Sequence, residues 1–531
     1  MIGNIMEKIK SSLIFFRLPL LSGFLIGTSY IPFPPWAALF GLVPLWYFWW
    51  QNPRPRVAFW GGCVTSFVFT LIGFHWVAHT FHEFGHIPWI LSLLILLLFC
   101  FLGHLHFALA GCLWAAIIGS RRARGSERYI LLLLPVLTIL CEHYYPMIFA
   151  WNFGYTWLYS RVPLFHTAEL IGFSGLSAWV IFTNLAFFVA LLRLKSARPW
   201  WPPIGVAVGL FCVMILVGLA LEKRLPTPDK KVGILAVQAN IGNLEKQYAE
   251  RGWGFRDHII DRYTQLSLKG LAAYPREEID FALWPETAFP DQIVPRSLER
   301  GYSARLTDFL RNNSLALVTG AYSEDLIQRK PTNSLFSFSA SGNLTNPPYH
   351  KTLLLAFGEY TPFGDMFPAL KRALPQVSDF ARGSGPTLLE QNGVHLGAQI
   401  CYEGLFPEFT QGLANLGAQI IINVTNDSWY GKSSQPHQHL YMTLARAIEF
   451  RRPIVRSTNT GFTTVAQANG EIMEISPLHQ EWFHLFRIPY REFPSATFFQ
   501  TTGIYLIPTI IWILFFISLG GVFYCVRFRN N

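Results

Sequence analysis

The sequence is short of charge. Only 14% of its 531 residues are Asp, Glu, Lys or Arg, while 51% are hydrophobic and 16% aromatic. A soluble chain carries about a quarter charged residues, so a wholly water-soluble protein is excluded and part of the chain belongs in lipid. Internal repeats and low-complexity tracts are also lacking. Cysteine is sparse: of seven, Cys63, Cys100, Cys112, Cys141, Cys212 and Cys525 fall in apolar stretches, which leaves Cys401 alone in a long polar region. A lone thiol has no partner for a structural disulfide, so it is either inert or functional. An excess of fixed positive charge on that region is lacking too. From Glu222 to Gln500 there are 27 Lys/Arg and 27 Asp/Glu, so the net charge of +10 comes from the remainder, with 15 basic and 5 acidic residues. The excess therefore reports membrane topology and contact with anionic lipid, and nucleic acid is not expected as a partner.

The apolar stretches are spaced as membrane spans. Candidates cover residues 13–27, 36–50, 59–78, 88–118, 130–147, 165–192, 205–221 and 504–526. Most approach the ~20 residues that a span requires. Seven precede the polar region and one follows it. Lys8 and Lys10 precede the first, as in a signal peptide, but no small-residue cleavage site follows, so it reads as an uncleaved anchor. Basic residues alternate from loop to loop. Lys8, Lys10 and Arg17 lie at the N-terminal side, and Arg54 and Arg56 in the second loop. Arg121, Arg122, Arg124 and Arg128 lie in the fourth, Arg193, Lys195 and Arg198 in the sixth, and Arg527 and Arg529 in the tail. The intervening loops carry only Arg161. The positive-inside rule then places both termini in the cytoplasm and the polar region on the outer face. The expected division is 1–222 as a seven-span membrane domain, 231–500 as an outer domain, and 503–531 as the last span with its tail. Two features of the spans call for comment. His75, His79, His82 and His86 have only Glu83 beside them, so no metal site is expected there. Glu142-His143 is an intramembrane acid with a claim to function.

Within 231–500, apolar runs alternate with helical patterns. Strands are expected at 232–238, 280–284, 315–320, 394–401, 420–424, 454–457 and 463–468, with a hairpin turning at 341–343. Helices are expected at 245–273, 297–312 and 438–450. This alternation argues an α/β layered domain. Three stretches then carry chemistry. His395-Leu396-Gly397-Ala398-Gln399-Ile400 runs into Cys401-Tyr402-Glu403-Gly404, which holds a thiol at a strand end. Leu283-Trp284-Pro285-Glu286 puts an acid just past another strand, and Tyr349-His350-Lys351 adds a cation. An acid, a cation and a thiol are the groups that a cysteine acyl-transfer site needs.

Those stretches resemble the carbon–nitrogen hydrolase (nitrilase) superfamily. So do Phe357-Gly358-Glu359-Tyr360-Thr361-Pro362, Asn426-Asp427-Ser428-Trp429-Tyr430-Gly431 and Arg456-Ser457-Thr458-Asn459-Thr460-Gly461. With seven spans before the domain and one after it, the whole chain is similar to the apolipoprotein N-acyltransferase family of that superfamily. The resemblance implies a polytopic α-helical membrane protein of about eight spans carrying an inserted nitrilase-like αββα sandwich. It also implies a bacterial inner-membrane location with the catalytic domain on the periplasmic side. It implies a phospholipid acyl donor, a diacylglyceryl apolipoprotein acceptor and no cofactor. Carried over by motif, Glu286 is the general base, Lys351 the oxyanion-side cation and Cys401 the nucleophile. Glu359, Tyr402 and Glu403 match supporting positions, with Glu359 open between catalyst and ion-pair partner, and Glu403 between function and a turn cap. Asn426 and Trp429 are candidate substrate contacts. One departure stands out: Gln247 occupies a place where many members carry Trp, and Trp253 is the nearby candidate to replace it.

Two other classes compete. A membrane-tethered amidase of small amides would use the same three groups, but eight spans exceed what tethering requires. A non-catalytic lipoprotein-binding scaffold has no need for an intact Glu286, Lys351 and Cys401. The orientation is open to a direct check. A membrane-impermeant thiol reagent applied to intact spheroplasts should label Cys401, and Cys401→Ala should abolish that labelling. Labelling that needs a breached membrane would reverse the topology.

Overall fold

A computed structural model describes residues 2–85, 87–119, 125–242, 254–374 and 377–527. The chain divides into two compact units, one of residues 1–224 with 501–531 and one of residues 225–500.

The first unit is helical. Five stretches among the described residues are long and apolar enough to cross a membrane: Pro55–Gly73, Trp89–Ile118, Pro163–Lys195, Trp201–Lys223 and Phe499–Arg527. They fall on five of the eight expected spans. The other three are built differently. Residues 13–27 are shared between the helices Ile2–Phe15 and Arg17–Gly27. Residues 36–50 form a 3-10 turn, Pro35–Leu39, and the helix Val43–Gln51, with Pro35 first in one and Pro44 second in the other; proline fits a first turn, where its missing N–H costs nothing. Residues 130–147 lie mostly in Glu127–Tyr144, an 18-residue helix that carries Glu127, Arg128 and Glu142. The polytopic helical frame is thus found, with five elements rather than eight of spanning length and apolarity.

Lipid offers no hydrophobic drive between helices, so close packing and buried hydrogen bonds must hold them. At Gly62 the facing helix His106–Ile118 comes so near that a Cβ would lie 2.4 Å from the Ala108 Cα. Asn184 is fully buried. It accepts from Leu42 N at 2.8 Å and donates to Ala38 O at 2.9 Å, which pins the broken 35–51 segment to the helix Ala168–Lys195. Glu142 accepts from the Ser177 hydroxyl at 2.6 Å. His82 sets Nδ1 2.8 Å from the Ile87 carbonyl and stacks on Trp89. His86, Arg121, Arg122, Arg124 and Arg529 lie outside the described residues.

The second unit holds two sheets. The strands are β1 (Lys230–Gln238), β2 (Phe281–Leu283), β3 (Leu317–Asp325), β4 (Lys330–Phe338), β5 (Tyr349–His350), β6 (Leu388–Gln391), β7 (Val394–Ile400), β8 (Ile420–Thr425), β9 (Ile454–Thr458), β10 (Thr464–Ala466) and β11 (Trp482–Tyr490). One sheet runs β11-β1-β2-β3-β4-β5 and the other β10-β9-β8-β7-β6. The helix Phe255–Ala273 packs on β1 and β11, while Pro407–Asn415 and Gln435–Phe450 pack on the second sheet. The sheets meet through buried polar bridges. Thr463 and Ser476 donate to Gln238 Oε1 at 2.8 and 2.9 Å, and the Ser337 hydroxyl donates to Gln391. The result is helix, sheet, sheet, helix.

The helix expected at 245–273 is described from Phe255 to Ala273, behind Gly254 at a left-handed φ of 76°. Residues 243–253, which include Gln247 and Trp253, lie outside the described residues. The expected hairpin turning at 341–343 is present: β4 pairs antiparallel with β5 at Ser334↔His350 and Leu335↔Tyr349, with a bridge from Phe338 to Leu344 and Gly342 N bonded to Ser339 O at 2.9 Å. A further hairpin is β3–β4, paired over nine residues from Leu317↔Phe338 to Asp325↔Lys330.

Candidate active site

Three sheet-end positions bring the expected groups together. Glu286 follows β2 on the turn Pro285-Glu286-Thr287, and it is 6% exposed. Its Oε1 accepts from Asn333 Nδ2 at 2.7 Å and its Oε2 from Asn426 N at 2.8 Å. Thr287, just past it, has a φ of 47°, a left-handed conformation that side chains rarely take. Gly320 on β3 backs this turn, and a Cβ there would stand 2.6 Å from Thr287 N and 2.7 Å from Glu286 Cα.

Lys351 directly follows β5 and is 2% exposed. Its N–H donates to Asn333 O at 2.8 Å, and its carbonyl accepts from Gly383 N at 2.9 Å. The ammonium lies 2.7 Å from Glu359 Oε1 and 3.5 Å from Glu286 Oε1. Burial works against that charge, but Glu359 and then Glu286 outweigh it, so the ammonium is held above its ordinary range. Glu359 is locked at both oxygens, since Oε2 accepts from Leu355 N at 2.8 Å.

Cys401 opens a 3-10 turn, Cys401–Leu405, at the end of β7, with a φ of 52°. Its carbonyl accepts from Asn423 Nδ2 at 3.1 Å. Burial pushes its thiol well up, and the nearby Glu286 charge adds to this. Lys351 and the Thr425 hydroxyl pull the other way without winning. Cys401 is therefore held as a thiol, and a base would have to take its proton before the sulfur could react.

The supporting positions separate by what they touch. Glu403 is fully buried. Its Oε1 accepts from the Tyr349 hydroxyl at 2.6 Å, Thr352 N at 2.6 Å and Leu353 N at 3.1 Å. Its Oε2 accepts from Ile400 N at 2.7 Å. One carboxyl thus joins the residues flanking Lys351 to the residue before Cys401. Burial pushes it up to about 7 against the pull of those donors. Tyr402 packs edge-on against Phe406, with ring centroids 4.9 Å apart. Asn426 clamps Glu286 through its main chain, while its side chain accepts from the Ser428 hydroxyl at 2.6 Å. Trp429 is 37% exposed. Three residues that the motifs did not single out also build the site: Asn333, Asn423 and Thr425. An amide inside the apolar run Ile-Ile-Ile-Asn-Val of β8 was the available signal, because burying one without a partner costs about 1–3 kcal/mol.

A buried acid, ammonium and thiol at the ends of a two-sheet sandwich define a site of the carbon-nitrogen hydrolase class, and a family model of that description matches residues 235–482. A second model, the apolipoprotein N-acyltransferase N-terminal domain, matches residues 22–186. The chain is 44% identical over 519 residues to an apolipoprotein N-acyltransferase of Bdellovibrio bacteriovorus, covering 96% of this chain and 93% of that one. It is 32% identical to another of Geobacter metallireducens, covering 80% of each. An amidase from Nesterenkonia sp. of known structure is 17% identical, with a TM-score of 0.36, over 54% of this chain and 98% of its own. The chain belongs to the apolipoprotein N-acyltransferase family. It is an acyltransferase with a membrane frame, and this membership favours acyl transfer over the amidase and scaffold readings.

The state of the thiol can be tested by titration. Alkylation of Cys401 by a small neutral reagent should keep accelerating through pH 9 without a plateau, because the folded protein holds the thiol above its ordinary range. A plateau near pH 8 would mean a thiol that Lys351 has already activated.

Proposed function

We propose that the protein moves a fatty acyl chain from a membrane phospholipid to the N-terminal amine of an S-diacylglyceryl-cysteine apolipoprotein, through a thioester on Cys401. The observation that carries this is the pairing of one buried ammonium with two carboxylates beside a strand-end thiol. Glu286 takes the Cys401 proton as sulfur attacks the donor ester carbonyl. The oxyanion of the tetrahedral intermediate forms beside Lys351. The C–O bond then breaks, Glu286 returns its proton to the departing lysophospholipid oxygen, and the acyl group stays on sulfur. In the second half the neutral amine attacks the thioester, Glu286 removes a proton from nitrogen, and the thiol is restored as the amide forms. Glu359, fixed at both oxygens, serves as the ion-pair partner that aims the Lys351 ammonium. The acceptor class follows from the names of the relatives. The alternation of basic loops supports placing this unit on the outer face, and the family resemblance supports the inner membrane as its location.

Phospholipid carrying a labelled acyl chain should label the enzyme before any acceptor is added, and neutral hydroxylamine should release the label. A peptide beginning with S-diacylglyceryl cysteine should accept it as a stable amide. Glu286→Gln and Lys351→Ala should each slow the first step by about 10² or more, and Cys401→Ser should fail. Label retained in Cys401→Ala would refute the covalent step, and turnover of a simple amide without label from phospholipid would favour the amidase.

An acyl donor of this kind needs an apolar approach. The stretch that holds Glu359 leads into one: Phe363, Met366 and Phe367 are 72%, 71% and 55% exposed, and the short helix Pro368–Ala373 follows. Lys371 ties this stretch to Asp365 at 2.7 Å and to Asp379 at 3.0 Å. In this reading the segment 363–374 is an arm that meets lipid and closes over the thioester. Charged substitutions at Phe367 and Leu370 should weaken acylation from membrane-borne lipid more than from a short water-soluble ester. Equal losses on both donors would point to packing instead.

A further inference from the structure

A second buried set of charges lies in the same unit. Arg456 on β9 is fully buried. Its Nη2 donates to Asp427 Oδ2 at 2.7 Å, and its Nη1 donates to Asn423 Oδ1 at 3.0 Å and Thr443 Oγ1 at 3.2 Å. The other Asp427 oxygen, Oδ1, lies 2.9 Å from His439 Nδ1. Against burial, Arg456 and His439 hold the Asp427 carboxyl down at about 2, so the pair stays charged. Taking both ions out of water costs several kcal/mol each, on the order of what their attraction returns, and apolar side chains would often fill the same space as well. Core stability therefore does not account for the cluster.

Two of its contacts lead to the reacting groups. Asn423 donates from Nδ2 to the Cys401 carbonyl at 3.1 Å while its Oδ1 is occupied by Arg456. The Arg456 bond thus decides which end of the amide faces Cys401, because only the NH₂ end donates. Asp427 directly follows Asn426, whose N–H holds Glu286 Oε2 at 2.8 Å. We infer that Arg456 is a positioning residue for acyl transfer: through Asn423 it holds the Cys401 turn, and through Asp427 it holds the loop that clamps Glu286. This rests on the acyl-transfer reading above. Cys401 sits at a φ of 52°, a conformation that persists only where the surroundings over-determine it. Glu403 holds the amide before it, and Asn423 holds its own carbonyl. Release of the second anchor lets the turn relax, and a misplacement of about 1 Å costs on the order of 10²-fold in rate.

The test uses the full-length protein in phospholipid vesicles and follows thioester formation from a labelled donor. Arg456→Lys keeps a cation for Asp427 but cannot also fork to Asn423. Asn423→Ala removes the link to the Cys401 carbonyl together with the Arg456 bond to Oδ1, and leaves the Arg456–Asp427 pair in place. Each should lower the rate at saturating donor by about 10- to 100-fold, leave the half-saturating donor concentration within about twofold, and leave the cooperative melting of the protein intact. The double variant should lose no more than the worse single, since both act along one path. Losses that multiply in the double variant, or an Asn423→Ala rate within about twofold of the unmodified protein, would overturn the inference. If Arg456→Lys does not fold, Asn423→Ala decides alone. Failure of the unmodified protein to form the adduct would instead overturn the acyl-transfer reading.

Discussion

One buried ammonium sets the terms for the rest of the α/β unit. Lys351 is 2% exposed and lies between Glu359 at 2.7 Å and Glu286 at 3.5 Å. Desolvating such a charge costs on the order of several kcal/mol, repaid only where geometry and hydrogen bonding are good. That requirement explains the density of anchors around it. Asn333 is used at its carbonyl by Lys351 and at its amide by Glu286, so one residue of β4 holds both members of the pair. Glu359 takes Leu355 N on its second oxygen. Loss of Lys351 would leave both carboxylates without their cation, and stranding a buried charge in this way costs about 3–5 kcal/mol.

The thiol answers to a different constraint. It stands at the end of the second sheet while the ammonium stands at the end of the first, so the two must be registered across the sandwich. Glu403 does this with one carboxyl, accepting from residues on both sides of Lys351 and from the residue before Cys401. Read as a motif, Glu403 was open between function and a turn cap. The geometry gives it the bracket, and the same bond from Ile400 N caps its own turn. The same economy appears at Asn426, which motif matching offered as a substrate contact and which the fold engages through its own N–H and through Ser428.

Legibility in the sequence followed the strength of local signals. β7 and β8 were plain because they are buried at nearly every position and therefore mostly apolar. β5 is two residues long and β6 four, too short for a periodicity. β11 pairs antiparallel with β1, 244 residues or more away in sequence at every position, so nothing local announces it. The β4–β5 hairpin was legible because Ser341-Gly342-Asn343 is a strong turn signal, whereas the β3–β4 turn, Leu326-Ile327-Gln328-Arg329, holds no Gly, Pro or Asn to announce it. The membrane frame was legible in kind because apolar length is a property of composition. The short elements at 17–27 and 43–51 were not, because Pro19 and Pro44 lie in their first turns, where proline starts a helix rather than extends one, and Asn184 completes the 35–51 segment from another helix.

The amino-acid sequence alone determined the kinds of chemistry and their order along the chain: apolar spans, alternating basic loops, then an acid and a thiol each just past a strand, with a cation between them. Those follow from residue type and spacing, which need no fold to be read. Only the tertiary structure decided that Glu286, Lys351 and Glu359 share one desolvated pocket, that Asn333 and Asn423 build it, and that Cys401 sits in a left-handed turn with its thiol pushed up. Distance and burial set the energy of a charge, and both are properties of segments brought together across two sheets, which no single stretch of sequence contains.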